Sequence, residues 1–352
     1  MYQKDVVALE DFADNAAAVI YDEQNYEIDL QFYLTRRCNL SCDGCYMSAS
    51  PRMTGNVLPE NDIVFYLDEF EKVPQFTHNV VFSGGEIFTT EIPYLEYNIN
   101  QVLNRGVALQ LKTNGSWVQN ENTRDAVLGM LRRLKPGRGL MASTQQVETF
   151  FANKPRWLLR LLGRDIVRRW LYWNLPTVSL LSMAVSVDDK LHPKKSAQWF
   201  LDIVNSFAED KRLNQNIDLK TFTVSESKVF LGKNVLNRSG CVQKDKKADK
   251  NLLKYTLNGV PVESYFGDFV DVNQITHREK LENFVLPPLG DARGRLVYCF
   301  YPDKTVGLDS CYLQSVGRVS YIGDDGKRKS LDKIRHDILV QLVLDYQRAI
   351  SK

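Results

Sequence analysis

Three cysteines near the N-terminus have the type and spacing that could hold a metal. Cys38, Cys42 and Cys45 are four and then three residues apart, so their thiolates can turn inward on one loop. Soft sulfur ligands select iron–sulfur clusters or zinc over hard cations. A structural zinc site normally has a fourth protein ligand nearby, but the next cysteine is Cys241 and the nearest histidine is His78. The motif therefore predicts a metal centre with three thiolates and one further coordination position.

This cysteine loop resembles the signature of the radical S-adenosylmethionine (SAM) superfamily, which follows the first barrel strand. Gly44 stands where that family usually has an aromatic residue, and Tyr46 follows the third cysteine. The resemblance implies a [4Fe–4S] cluster on the three cysteines with SAM on the remaining iron, and it makes Tyr46 a candidate cofactor contact. It also implies reductive cleavage of SAM to a 5′-deoxyadenosyl radical, which abstracts hydrogen from a carbon centre of the substrate.

Three later motifs come at predicted strand ends, and the resemblance assigns them to SAM binding. Gly84–Glu86 is similar to the glycine-rich turn whose backbone and acid hold the SAM ammonium, since glycine allows close approach of backbone to a ligand. The other two motifs, Thr113–Gly115 and Ser186–Asp188, fall where the family contacts the ribose and the carboxylate of SAM. For each motif taken singly, an ordinary strand-end turn is the alternative. The candidate residues are Gly84, Gly85, Glu86, Thr113, Asn114, Ser186 and Asp188.

Strands and helices alternate along the first two thirds of the chain. Alternating apolar and polar residues predict a strand over Ile28–Leu34. Further strands are predicted at 78–82, 107–112, 178–187 and 217–224, and helices at 59–73, 93–104, 122–134, 192–208 and 331–350. This order predicts an α/β fold with right-handed βαβ units and a parallel sheet. The functional loops of such a sheet collect at the carboxyl ends of its strands.

The family resemblance implies a partial (β/α)6 barrel, with the sixth strand expected in the weaker stretch that ends at Cys241. With 352 residues, the chain exceeds the 250 to 300 or so residues at which single cores stop growing. We therefore predict an N-terminal lead at 1–26, a barrel at 27–235 and a small C-terminal extension at 236–352. A helical insertion at 136–176 interrupts the barrel.

The insertion carries a stripe of four arginines at helical spacing, Arg156, Arg160, Arg164 and Arg168. One interpretation is a surface for phosphates, an acidic peptide or a lipid interface. The other, which we favour, is a helix that packs its apolar side on the barrel and leaves its arginines in solvent.

The C-terminal part contains the remaining cysteines, Cys241, Cys299 and Cys311. The segment from Cys299 to Val319 looks like a shortened SPASM or Twitch extension, which follows the barrel in peptide-modifying radical SAM enzymes. Three cysteines can support one auxiliary cluster at most. The alternatives are a hydrogen-atom donor, for which Cys311 is the candidate, and inert buried thiols, since cysteine is often a small core residue.

The sequence gives no indication of a nucleic-acid-binding, secreted or membrane-spanning protein. The net charge of +2 indicates no global preference for nucleic acid. Met1–Asn25 lacks the basic start and apolar core of a secretory signal, and no run approaches the ~20 apolar residues of a membrane span. Six cysteines with three in one cluster motif favour a reducing compartment over a disulfide framework. These features predict a cytoplasmic protein.

The predicted function is that of a radical SAM oxidoreductase that modifies a peptide or protein, with an electron donor such as flavodoxin or ferredoxin. One alternative is a dehydrogenase or epimerase of a small molecule, such as a sugar or nucleoside, since we expect no separate leader-binding domain ahead of residue 27. An alternative from another class is a non-catalytic iron–sulfur or zinc binding protein.

Overall fold

The computed structural model describes residues 13–14, 17, 27–41, 47, 49–53, 57–73, 76–140, 177–186, 196–222, 252–257, 260–265, 295–308 and 316–350. Its strands are β1 (Glu27–Thr35), β2 (Phe76–Gly84), β3 (Ala108–Thr113), β4 (Arg138–Leu140), β5 (Thr177–Ser179), β6 (Leu181–Ser186), β7 (Asp218–Phe222), β8 (Leu252–Leu257), β9 (Val260–Tyr265), β10 (Arg295–Phe300), β11 (Thr305–Leu308) and β12 (Val316–Ser320). Its helices are α1 (Glu60–Glu71), α2 (Ile92–Leu103), α3 (Glu121–Arg133), α4 (Ser196–Glu209), α5 (Lys211–Asn216) and α6 (Leu331–Ile350).

The main sheet has eight strands in the order β12-β11-β10-β1-β2-β3-β6-β7. All neighbours from β10 to β7 pair in parallel, whereas β11 and β12 are antiparallel additions at one edge. The predicted α/β class is confirmed. A core of six parallel strands, connected through helices where the chain is described, is the arrangement expected of a partial barrel.

The sixth parallel strand is β10, which comes from the C-terminal part of the chain. It pairs with β1, with Leu30 opposite Tyr298 and Phe32 opposite Phe300. The stretch up to Cys241, where we expected this strand, lies outside the described residues. The sheet thus contains strands from both sides of the predicted boundary at 235, while the division into domains stays a prediction.

The prediction of one continuous strand at 178–187 is wrong, because the run divides at Leu180. β5 pairs antiparallel with β4, whereas β6 enters the main sheet between β3 and β7. At the break, Leu180 N donates to Gly137 O at 2.9 Å, and Leu180 O accepts from Leu109 N at 2.7 Å. The residue between the two strands therefore bonds to both neighbours, and a continuous apolar run does not reveal this change of partner.

The helix-facing side of the sheet forms the core. Leu30, Phe32 and Leu34 alternate along β1 and are fully buried. Asp29, Gln31 and Tyr33 on the other face of β1 are also buried, so the strand is covered on both faces, which its apolar–polar alternation does not predict. Phe300 of β10 stacks on Phe32 at 5.2 Å and lies 4.4 Å from the Tyr66 ring of α1. Each such side chain contributes about 1.5 to 3 kcal/mol on burial, so β10 belongs to the main core.

The C-terminal helix α6 packs on β12. At Gly317 (φ 59°), an added Cβ would lie 2.9 Å from Ile338 Cγ2, so glycine allows this close approach. Asp62 in the first turn of α1 accepts from Tyr321 Oη at 2.8 Å and from Arg328 Nε at 2.5 Å. These contacts join the C-terminal segment to α1.

In the part of the chain that the structure describes, no helix is long and apolar enough to cross a membrane.

Candidate functional site

Cys38 lies where the carboxyl ends of β1, β2 and β3 meet. Its backbone N donates to Ser50 O at 3.2 Å, which anchors the loop after β1. Its side chain is 7% exposed. The Sγ atom accepts from Leu40 N at 3.4 Å and from Asn114 Nδ2 at 3.6 Å. Two N–H donors directed at one sulfur suit a thiolate ligand, whose negative charge they stabilise.

The carboxamide of Asn114 has a defined orientation. Its Oδ1 accepts from the backbone N of Ser116 at 2.9 Å, and a backbone N–H can only donate. Nδ2 is therefore the atom that faces Cys38 Sγ, and it also donates to Asn39 Oδ1 at 3.0 Å. The other end of the Asn39 amide donates to Ser116 Oγ. The three side chains of Asn39, Asn114 and Ser116 thus form a small network beside Cys38, in which Asn114 and Ser116 are buried and Asn39 is exposed.

Glu86 supports this network from the turn after β2. Its carboxylate is 1% exposed and accepts three hydrogen bonds, from Phe88 N at 3.1 Å, Thr113 Oγ1 at 2.8 Å and Asn114 N at 2.7 Å. Burial raises the pKa of the Glu86 carboxyl to about 7, although these hydrogen bonds act in the opposite direction. The acid therefore connects the end of β2 to the end of β3.

The glycines before Glu86 let β2 approach the cysteine loop. Gly84 has a φ of 137°, and an added Cβ there would lie 2.4 Å from Thr35 O. An added Cβ on Gly85 would lie 2.2 Å from Arg37 O. The turn is also hydrogen-bonded to the loop, since Gly85 N donates to Thr35 O at 2.7 Å and Glu86 N donates to Arg37 O at 2.9 Å. Any other residue at these positions would push the two strand ends apart.

Ser186 ends β6 at the same edge of the sheet. Its side chain is 3% exposed, and its Oγ has no hydrogen-bond partner among the described residues. A buried hydroxyl without a partner costs free energy, so an atom that can receive or supply a hydrogen bond is expected beside it. Ser186 is therefore a candidate ligand contact.

The opposite side of Cys38 is apolar. Cys38 belongs to a second buried cluster with Tyr33, Met47, Ala49, Cys299 and Tyr301. The rings of Tyr33 and Tyr301 stack at 4.6 Å with an interplanar angle of 19°. Tyr33 comes from β1, whereas Tyr301 directly follows β10. The C-terminal part of the chain therefore supplies part of the apolar cluster to which Cys38 belongs.

Charged residues hold this aromatic wall from outside. The Arg318 guanidinium lies 4.0 Å from the Tyr301 ring centroid and 2.6 Å from Asp303 Oδ2. Asp303 Oδ2 also lies 3.1 Å from Arg36, the residue two before Cys38. Partial burial would raise the pKa of Asp303, but the Thr305 hydroxyl and the two arginines outweigh it and hold that pKa below its usual range. Asp303 thus ties the C-terminal hairpin to the cysteine loop.

Several predicted site residues lie outside the described residues. They are Cys42, Cys45, Tyr46, Asp188, Cys241 and Cys311, together with Gly44 and the arginine stripe at 156–168. Within the described ranges, no group of three or more potential ligands could hold a metal ion. The ligand sets on both cysteine groups therefore stay predictions. Cys299 is buried in β10 and belongs to the same apolar cluster as Cys38.

Comparisons with known proteins found likeness to solved structures alone. No protein-family model matches the chain, and no curated protein matches it. The chain is similar to Streptococcus suis SuiB bound to the precursor peptide SuiA, with 12% identity and a TM-score of 0.41 over 96% of this chain and 70% of SuiB. It is also similar to SuiB bound to S-adenosylmethionine, with 10% identity and a TM-score of 0.41 over 96% and 72%.

Sequence analysis did not identify four residues next to Cys38. Asn39 directly follows Cys38 and Ser116 comes two residues after Asn114, so their closeness to the motifs was a usable signal. Tyr33 was assigned only to a strand. Tyr301 is far from Cys38 in the sequence, and no local pattern could have placed its ring against Tyr33.

Proposed function

We propose that the protein is a radical SAM enzyme with its cofactors at the carboxyl edge of β1, β2, β3 and β6. The observation that carries the proposal is the arrangement around Cys38, where Asn114 and Leu40 direct N–H groups at the sulfur. Cys38, Cys42 and Cys45 would hold a [4Fe–4S] cluster. With SAM bound, that cluster supplies the reductive cleavage that yields a 5′-deoxyadenosyl radical for hydrogen abstraction.

The residues present fit this cofactor pair. Cys38 is buried and provided with donors for a thiolate, and Ser186 Oγ needs a partner that a hydroxyl or carboxylate of SAM could supply. The Gly84–Glu86 turn lies against the cysteine loop. Of the two Glu86 oxygens, Oε1 accepts two hydrogen bonds and Oε2 accepts one. A carboxylate has about four acceptor sites, so Oε2 retains capacity for an ammonium group.

A peptide or protein is the substrate class that we propose, because the tail from Cys299 to Val319 looks like a SPASM or Twitch extension. β10, β11 and β12 of this tail extend the sheet beside the cysteine loop, a position that supports a role at the same site. A small-molecule dehydrogenase or epimerase is the second candidate. The protein's part is to place one C–H bond and exclude water.

The deciding experiment measures bound iron and SAM cleavage on anaerobically reconstituted full-length protein. Dithionite and SAM should produce 5′-deoxyadenosine, and Cys38→Ala should abolish it. An increase in deoxyadenosine formation with peptide alone would support the peptide class, whereas an increase only with a sugar or nucleoside would support the second candidate.

A matched pair of triple variants separates the two cysteine groups. If Cys38, Cys42 and Cys45 are changed to Ala and about four iron atoms per chain remain, an auxiliary cluster on Cys241, Cys299 and Cys311 is indicated. The reciprocal triple variant is the control and should keep SAM cleavage. Protein isolated with zinc and without visible absorbance would instead indicate the non-catalytic class.

Two further expectations accompany the proposal. The reaction needs a one-electron donor, for which a flavodoxin or ferredoxin is the candidate class. Iron–sulfur chemistry and the cysteine usage favour a reducing compartment, so we expect the protein in the cytoplasm.

A further inference from the structure

We propose that Asn114 is a positioning residue that sets the reduction potential of a cluster bound at Cys38. This inference rests on the proposed function and deepens it, because sequence analysis assigned Asn114 to SAM. In the structure the Asn114 Nδ2 atom lies 3.6 Å from Cys38 Sγ and 3.0 Å from Asn39 Oδ1. The carboxamide therefore faces the cysteine.

The position of this donor is determined by its neighbours. Ser116 N donates to Asn114 Oδ1, so the amide cannot turn over without placing an N–H against an N–H. The backbone of Asn114 is held by Glu86 Oε2 at 2.7 Å. Gly115 follows with a φ of 79°, and its N donates to Thr113 Oγ1 at 3.1 Å. The donor is thus preorganised by a buried carboxylate and a tight turn.

A hydrogen bond to a ligating sulfur acts on potential through charge. Reduction by one electron from an external donor adds negative charge to the cluster and its sulfur ligands. An N–H dipole directed at the sulfur stabilises that form more than the oxidised form, which raises the potential. The effect on the potential is only a fraction of the strength of the hydrogen bond, because the bond is present in both redox states and only its difference between them counts.

The experiment measures the midpoint potential of the reconstituted full-length protein by redox titration followed by electron paramagnetic resonance, without SAM or substrate. Asn114→Leu keeps the size of the side chain but removes the N–H. We expect its midpoint potential to be about 59 mV more negative than that of the wild type. For one electron, this shift is a tenfold change in the reduced-to-oxidised ratio. Asn114→Asp removes the N–H and adds negative charge, so its shift should be larger.

Two further variants test whether the effect belongs to the carboxamide. Asn98→Leu is the matched control, because Asn98 is also buried but donates to Tyr94 O within α2, away from the loop. Its potential should equal that of the wild type. Ser116→Ala removes a hydroxyl that braces the carboxamide but leaves the donor, so its shift should be smaller than that of Asn114→Leu.

A potential is independent of how much protein carries the cluster, so partial loading does not disguise the result. A purely structural role would lower iron content in Asn114→Leu and leave the potential at the wild-type value, and that result would overturn the proposal. A Ser116→Ala shift as large as that of Asn114→Leu would also overturn it. If the wild type forms no cluster, the proposed function fails and this inference with it; a wild-type cluster whose potential the Asn114 variants leave unchanged refutes this inference alone.

Discussion

The two sides of Cys38 differ in chemistry and in origin. On one side, Asn39, Asn114 and Ser116 form a hydrogen-bond network backed by Glu86. On the other, the stacked rings of Tyr33 and Tyr301 form an apolar wall. The polar side comes from consecutive βα units, whereas half of the aromatic wall comes from the C-terminal part of the chain. The directional bonds thus come from strand ends of the N-terminal part of the chain, whereas part of the packing comes from its C-terminal part.

This difference implies a division of roles. Hydrogen bonds to sulfur change the relative energy of charge states, so the polar side should control the properties of a bound centre. Stacked rings contribute mainly buried area and dispersion, so the aromatic wall should control stability. The predictions below test that division, beginning with the largest expected effect.

Replacing Tyr301 by Ala should cost the most stability. The change removes a buried ring that stacks on Tyr33 and contacts Arg318. Large-to-small changes of buried aromatics lower the free energy of unfolding by about 3 to 5 kcal/mol, which urea unfolding would measure. Tyr97→Ala is the control, because Tyr97 is exposed, and it should change stability by about 0.5 kcal/mol or less. A shifted midpoint potential in a folded Tyr301→Ala protein would contradict the division of roles.

Replacing Gly85 by Ala should affect both the polar and the aromatic side of Cys38. The added Cβ would lie 2.2 Å from Arg37 O, so the end of β2 must move away from the cysteine loop. Overpacking of this kind costs about 3 kcal/mol, and iron binding should fall with it. The control is Gly129→Ala in α3, where the nearest atom is 3.7 Å away; it should stabilise the helix by up to about 1 kcal/mol. Equal unfolding midpoints for the two variants would show that the close approach is unimportant.

Glu86 should make stability depend on pH between its ordinary pKa of 4.5 and its folded value of about 7. In that range the unfolded chain has already lost the proton while the folded chain keeps it. The contribution is therefore complete below 4.5 and is lost as the pH rises through 7, on the order of 3 kcal/mol. Unfolding of wild type and Glu86→Gln from pH 4 to 8 measures it. Parallel curves for the two proteins would refute this prediction.

Asp303→Asn should have the smallest effect. Asp303 bonds to Arg36 and Arg318, but its side chain is 38% exposed, so solvent screening limits the loss to about 1 kcal/mol. Because its folded pKa is lowered, the contribution is present above the ordinary value of 3.8 and is lost as the pH falls through the folded pKa. The difference in unfolding free energy between wild type and variant should therefore shrink in acid. Asp325→Asn, at an exposed ion pair, serves as the control.

The position of two motifs could be predicted because each follows a single strand. Alternation in β1 and the order of Gly84–Glu86 and Thr113–Gly115 were sufficient to place these motifs at one sheet edge. The target of each side chain was not predictable. Glu86 binds Asn114 N rather than projecting alone, because the closeness of two strand ends depends on sheet register and on glycines that admit backbone contact.

The sequence by itself determined the α/β alternation and the cysteine spacing, because these depend on residues near one another in the chain. Only the tertiary structure decided that β10 pairs with β1, that Tyr301 stacks on Tyr33, and that the apolar run at 178–187 divides at Leu180. The physical reason is that a strand's hydrogen bonds and buried face are satisfied by a partner segment, and local composition does not specify which distant segment packs best.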